Sequence, residues 1–339
     1  MLPYKKIISA ADWSAKDLNK HNDWIYQLSQ AELAEINHAV KNCSEKNYSN
    51  ISQKDFPLPL LSQVIQNKFL AQLENGIGTL LLRGINPAQY SLEELYKLFW
   101  GLGLYFGTAV SQSPSGELIH EIKDQGYKIG EAKARGTNTS AALEFHNDPC
   151  DVAALFCIQD AINGGESMLV SSVAIHNKML QDCPELLAEL YQPFYFRRHH
   201  MDTMQKIEYE CRPIFAIEQG FFACNLLRFL IDKAQELPDV PRLTAKQIQA
   251  LDTFDAIAKD LSMHYKFTMQ PGDISFVNNF VVLHGREAFA DQEAIERKRL
   301  LLRLWLAVPN SRPLPESYRI SYHEIKAGAV RGGWLPSKK

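Results

Sequence analysis

The sequence predicts a mainly β protein with α insertions, whose centre is a double-stranded β-helix, or jelly roll, flanked by helices. Short apolar runs bounded by glycine, proline and asparagine recur after residue 143, and single helices are inserted between them rather than in a regular βαβ series. No Gly-x-Gly-x-x-Gly follows a strand-like run, so a dinucleotide fold lacks its main local sign. No fixed repeat or low-complexity block interrupts the pattern.

Residues 1–75 read as a mainly helical N-terminal part. Ser29 and Glu32 have capping-box spacing, and Leu33, Ile36 and Val40 supply one apolar stripe behind them. Lys41 to Asp55 reads as a polar loop. Leu60 to Leu73 reads as a helix ended by Asn75-Gly76, since glycine takes the left-handed terminal position without penalty. Ile77 to Gly84 has the bulk and branching of a strand, and Ser91 with Glu94 caps a helix over 92–102. Residues 108–140 are rich in small polar side chains, which suits an active-site loop or lid and equally a plain surface excursion.

From Leu143 onward the strand signal dominates, with runs at 151–158 and, after Gly164-Gly165, at 166–171. Residues 172–190 read as helical, with Pro184 opening a new turn. Two strands are expected around Gln219-Gly220, and Thr244 with Gln247 opens a helix to about Leu261. Strands at 264–268, 274–277 and 300–308 follow, the middle one after a Pro271-Gly272-Asp273 turn. The 339 residues have ample length for a substantial core and are read as a single domain.

A formal net charge of -3 argues against a general polyanion binder, so no nucleic-acid partner is expected. The cysteines at 43, 150, 157, 183, 211 and 224 form no Cys-x-x-Cys pair, which favours free thiols in a reducing setting. No secretory signal and no membrane-spanning run is read, and a cytoplasmic location is the expectation. Nothing in the sequence fixes an oligomeric state.

The chemistry centres on Glu144-Phe145-His146-Asn147-Asp148-Pro149. If this stretch is extended, His146 and Asp148 point to one side and can grip one ion. His284 comes much later, after a strand-like run and before an expected Gly285-Arg286 turn. Two imidazoles and a carboxylate are the ligand set of a 2-His-1-carboxylate iron(II) site, although a structural histidine explains His146 equally well in isolation. Arg299 and Arg303 are an even number of residues apart and share one face of a strand, with Leu300, Leu302 and Leu304 on the other. A buried arginine needs an anion, and its planar fork pairs best with a carboxylate; structural ion pairs remain the other reading.

Taken in order, several pieces resemble the taurine dioxygenase-like branch of the iron(II)/2-oxoglutarate-dependent oxygenases, including its gamma-butyrobetaine hydroxylase relatives. They are Gly78-x-x-x-x-Arg83-Gly84, His146-Asn147-Asp148, Ala161-x-x-Gly164-Gly165-Glu166-Ser167, Pro271-Gly272-Asp273, His284-Gly285-Arg286 and Arg299-Leu300-Leu301-Leu302-Arg303. The resemblance implies a dioxygenase that uses Fe(2+), 2-oxoglutarate and O2. In it His146, Asp148 and His284 would ligate iron and Arg299 would pair with the distal carboxylate of 2-oxoglutarate. Ser167 would stand where many members have threonine, and Arg303 would contact the cofactor or an anionic group of the substrate.

Asn278 and Val281 depart from the residues many relatives carry, which weakens transfer of a particular substrate. Asp148 fills the position a halide would need, so halogenation is not expected. The implied reaction on a small polar or zwitterionic molecule is hydroxylation of an unactivated C–H bond, with succinate and carbon dioxide released. Desaturation or cyclisation would use the same centre, and a catalytically silent jelly-roll binding or regulatory protein is the reading from a different class. Gln112, His120, Glu121 and Asn225 are weak substrate-contact candidates, for which surface or capping roles compete. Arg286 is read as orienting the distal-histidine segment, and the Arg197-Arg198-His199-His200 knot as solvated.

Overall fold

The structure is a computed structural model that describes residues 4–20, 22–128, 131, 136–198, 207–291 and 298–335. Eleven strands form two sheets. In chain order they are β1 (Ile25–Gln27), β2 (Thr79–Arg83), β3 (Thr108–Val110), β4 (Ile119–Ile122), β5 (Leu143–His146) and β6 (Val152–Gln159), then β7 (Ser167–Ser171), β8 (His264–Phe267), β9 (Ile274–Asn278), β10 (Val282–Arg286) and β11 (Leu300–Ala307). The larger sheet runs β1-β2-β9-β6-β11-β3, with β4 also on β11; the smaller runs β8-β7-β10-β5.

Alternation along the strands decides which core each residue joins. Leu80 and Leu82 of β2, Phe276 of β9 and Leu302, Leu304 and Leu306 of β11 pack outward with the helical layer. Leu81, Val277 and Leu301, one residue out of phase, pack inward with Leu169 and Val282 of the smaller sheet. Because both faces of β2 are covered, it reads as the unbroken Thr79-Leu80-Leu81-Leu82 run seen in the sequence.

The helical layer starts where the caps predict. α1 (Gln30–Asn42), α2 (Leu92–Phe106) and, later, α5 (Ala245–Lys259) each open on a complete capping box, while α3 (Ser172–Asp182) and α4 (Pro184–Leu190) divide at Pro184. The helix from Leu61 to Glu74 contains a π turn over Ile65–Phe69. It ends at Glu74, capped by Asn75, as the sequence reading has it, but the left-handed glycine is Gly78, φ 79°, whose amide bonds the Gln72 carbonyl, and not Gly76.

Two further expectations are corrected. Residues 108–140 are not simply a loop, since β3 and β4 both pair with β11; residues 129–130 and 132–135 lie outside the described residues. Gly285-Arg286 is not a turn but the end of β10, where Gly285 is required by close approach: a Cβ there would sit 2.8 Å from the Leu143 carbonyl oxygen. The sequence reading also missed β1, the ribbon of Phe194–Arg197 with Tyr209–Arg212 and the helix Arg228–Ala234.

The Pro271-Gly272-Asp273 turn is fastened to the end of β2. Asp273 takes the fork of Arg83 at 2.8 and 2.6 Å, and a Cβ on Gly272, φ 99°, would meet the Ile85 carbonyl oxygen at 1.8 Å. Gly272→Ala is therefore expected to cost at least about 1–3 kcal/mol from backbone strain alone, read as a lower urea midpoint.

Candidate metal centre and cofactor pocket

His284 lies directly across from His146 in the β10–β5 ladder, so the two imidazoles start as neighbours on one face, with ring centroids 4.4 Å apart. The ladder carries a bulge here: His284 pairs with His146 but Arg286 pairs with Leu143, so β5 holds one residue more than β10. The His146 Nδ1 hydrogen bonds the Glu144 carbonyl at 2.8 Å, which makes Nδ1 the donor and leaves Nε2 free for an ion.

Asp148 converges with His146, as the sequence reading expects, from a position just beyond the end of the strand. β5 ends at His146, and the following loop is pinned by Asn147, whose side chain donates to the carbonyls of Asn279 and Val282 and accepts the Leu226 amide. Asn279 in turn accepts the Asp148 amide at 3.0 Å. Both asparagines are fully buried, and the sequence reading assigned neither a role. The signal was their place in Asn147-Asp148 and Asn278-Asn279, beside the expected ligands.

One donor atom from each of His146, Asp148 and His284 lies within 4.8 Å of the others, close enough to converge on a single ion. The electrostatics suit a cation. Burial, then the neighbouring His284, pushes His146 down to about 4, so its imidazole is neutral and available as a ligand at pH 7. Burial works to raise the Asp148 carboxyl, yet Arg303 and His284 together hold it well below the usual carboxylate range. Its oxygens lie 3.6 Å from His284 Nε2 and 3.3 Å from Arg303 Nη1.

Arg299 and Arg303 both face inward, as their spacing predicts, but in different settings. Arg303 rests over the Trp305 ring, its Nε donates to Gln112 at 2.7 Å, and Gln112 also donates to the backbone carbonyls of Leu118 and Arg303. Gln112 thus belongs beside the centre as a support for Arg303. Arg299 is buried, yet its Nε and Nη1 have no hydrogen-bond partner among the described residues. Gly165 underlies it: a Cβ there would stand 3.3 Å from Arg299 Nε and 3.2 Å from the Phe289 Cβ, so the glycine keeps this space open. Ser167 lies directly across from Arg286 in the β7–β10 ladder, two residues along β10 from His284.

The other candidates are spread around this centre. His120, opposite Arg303 on β4, is held between Glu117 and Thr137, and Glu121 bonds Tyr96 and Lys123. Asn225 joins a buried cluster in which it accepts from Arg212 and donates to Tyr322. Arg197 pairs with Glu208 and Glu236 at the surface, whereas His199 and His200 lie outside the described residues.

Three such donors, near a buried guanidinium with two nitrogens unpartnered among the described residues, are the parts of an iron(II)- and 2-oxoglutarate-dependent oxygenase acting on a small substrate. The profile of the taurine catabolism dioxygenase TauD, TfdA family matches residues 40–305, and the chain belongs to that family. It is similar to FR-33289 synthase of Streptomyces rubellomurinus (strain ATCC 31215), at 30% identity over 336 residues covering 96% of this chain and 97% of that protein.

Among solved structures, the fold is shared with asparagine oxygenase in complex with Fe(II), 2S,3S-3-hydroxyasparagine and succinate. That match has a TM-score of 0.64 and 15% identity, over 84% of this chain and 93% of the other. The non-heme iron oxygenase OrfP in complex with Fe and alpha-ketoglutaric acid matches with a TM-score of 0.63 and 16% identity, over 83% and 93%. These matches confirm the jelly-roll architecture expected from the sequence. No described helix is long and apolar enough to cross a membrane.

Proposed function

We propose that His146, Asp148 and His284 hold the iron(II), and that Arg299 and Ser167 hold the distal carboxylate of 2-oxoglutarate. In this reading the enzyme hydroxylates an unactivated C–H bond of a small polar or zwitterionic molecule. The observation that carries it is the convergence of the three donor atoms within 4.8 Å, from strands and a loop that the fold brings together. Iron(II) and 2-oxoglutarate held there would supply the oxidation with O2 as oxidant, one oxygen atom entering succinate as carbon dioxide leaves and the other entering the product. The chain's own part is positioning and exclusion of water.

Glu144 fixes the His146 tautomer, and Asn147 and Asn279 aim Asp148. Arg303, steadied by Gln112, is placed to meet an anionic group of the substrate beside the metal. Residues 1–339 act in this reading as a single domain, with Thr139, tied to Arg286 through its carbonyl, bordering the pocket. An intracellular location accords with it, since the described cysteines are all free and reduced thiols suit a cytoplasmic enzyme.

The test supplies iron(II), 2-oxoglutarate and a panel of amino acids, betaines, sulfonates and other small acids, and follows succinate against product. One succinate per product that has gained one oxygen atom is expected. A product that has lost two hydrogens instead identifies desaturation or ring closure. No substrate-dependent succinate across the panel, with 2-oxoglutarate still bound, would leave the silent binding protein as the better reading.

A further inference from the structure

We propose that Arg286 is a second binding residue for the distal carboxylate of 2-oxoglutarate, so that the far end of the cosubstrate lies between two guanidinium groups. This rests on the reading above, in which Arg299 takes that carboxylate.

Arg286 and Arg299 are both more than nine-tenths buried, at 6% and 3% exposure. Their guanidinium carbons lie 4.7 and 5.0 Å from the centroid of the same ring, Phe289, so the two cations share one small compartment. The sequence reading gave Arg286 a purely orienting role, and the structure accounts for part of it. Its Nη2 donates to the carbonyls of Thr139 and Ala141 and ties that segment to β10. The remaining nitrogens, Nε and Nη1, are buried with no partner among the described residues, as are Nε and Nη1 of Arg299.

Four orphaned nitrogens on two buried cations are a costly arrangement for an empty core and a natural one for a carboxylate, whose roughly four lone-pair sites accept most of the N–H groups they carry. The nearby carboxylates do not fill the role: Asp160 accepts the Ala161 amide, Asp124 the Gly126 amide and Asp291 the Arg299 backbone amide, and among the described residues none hydrogen bonds either guanidinium. Position agrees, because Arg286 faces Ser167 across the β10–β7 ladder and lies on the same face of β10 as His284.

The experiment titrates the anaerobic, iron(II)-loaded protein with 2-oxoglutarate and with 2-oxobutanoate, which keeps the chelating head and lacks the distal carboxylate. The visible charge-transfer absorbance that forms on chelation reports binding without turnover. Arg286→Gln is expected to weaken 2-oxoglutarate by about 10- to 100-fold, the range for losing hydrogen bonds to a charged group, and to leave 2-oxobutanoate unchanged. Arg286→Lys should restore part of the difference, and it supplies the same ratio if the glutamine variant does not fold.

Equal losses for both ligands, the signature of a merely structural tie to Thr139 and Ala141, overturn the proposal, and so does an unchanged 2-oxoglutarate affinity. A preference for 2-oxoglutarate that disappears in Arg299→Gln but survives in Arg286→Gln overturns this inference alone. A wild-type protein with no such preference removes the underlying pocket assignment as well.

Discussion

Replacing His146 by alanine is expected to abolish succinate formation coupled to product. Even the residues that merely support metal ligands typically cost 10- to 100-fold in affinity or activity when removed, so loss of a ligand should cost at least about 100-fold. The fold should survive, because the imidazole is only partly buried and makes one hydrogen bond, to its own strand at Glu144. Iron content after gel filtration, read beside the circular dichroism spectrum, separates loss of metal from loss of structure. A variant that keeps both its iron and its coupled turnover would remove His146 from the centre. Because the wild-type imidazole is held neutral down to about pH 4, its contribution to iron binding should not titrate between pH 8 and about 5.

The second large effect is on stability and lies three residues past Asp148. Arg331 is fully buried and bonds Asp151 at 2.7 Å; its other nitrogens donate to the carbonyls of Arg312, Ile325 and Lys326. Asp151 also accepts the Val308 amide, and the Gly333 amide bonds the Pro149 carbonyl, so the C-terminal segment is strapped onto the loop that carries Asp148. Beside it Arg312 pairs with Glu74 at 2.7 Å, tying in the N-terminal helices. Arg331→Met would leave the Asp151 carboxylate buried without its counter-charge, which is expected to cost about 3–5 kcal/mol in urea unfolding. A loss below about 1 kcal/mol would show that the strap contributes little.

Much of the architecture could be read locally. The capping boxes at Ser29, Ser91 and Thr244, the break at Pro184 and the alternation that turns Arg299 and Arg303 inward need only neighbouring residues, and all are realised. The two histidines and the aspartate were legible as residue types in a plausible spacing. Their means of assembly was not. Asn147 holds Asn279 at a separation of 132 positions, Gln112 holds Arg303 at 191, and no periodicity records such pairings.

The three-residue strand β1 was missed because its parallel partner lies 56 positions away and so brief a run has no period of its own. Asn225 looked like a polar residue available to a ligand; only the fold shows it committed to Arg212 and Tyr322. Arg286 looked like half of a turn because Gly-Arg after an apolar run resembles a strand end, whereas the glycine serves the approach of the Leu143 backbone.

The strap also has a consequence during biosynthesis. Asp151 cannot meet its guanidinium until residue 331 has been translated, 180 positions later, so in a nascent chain the loop that carries Asp148 stays incompletely fastened until then.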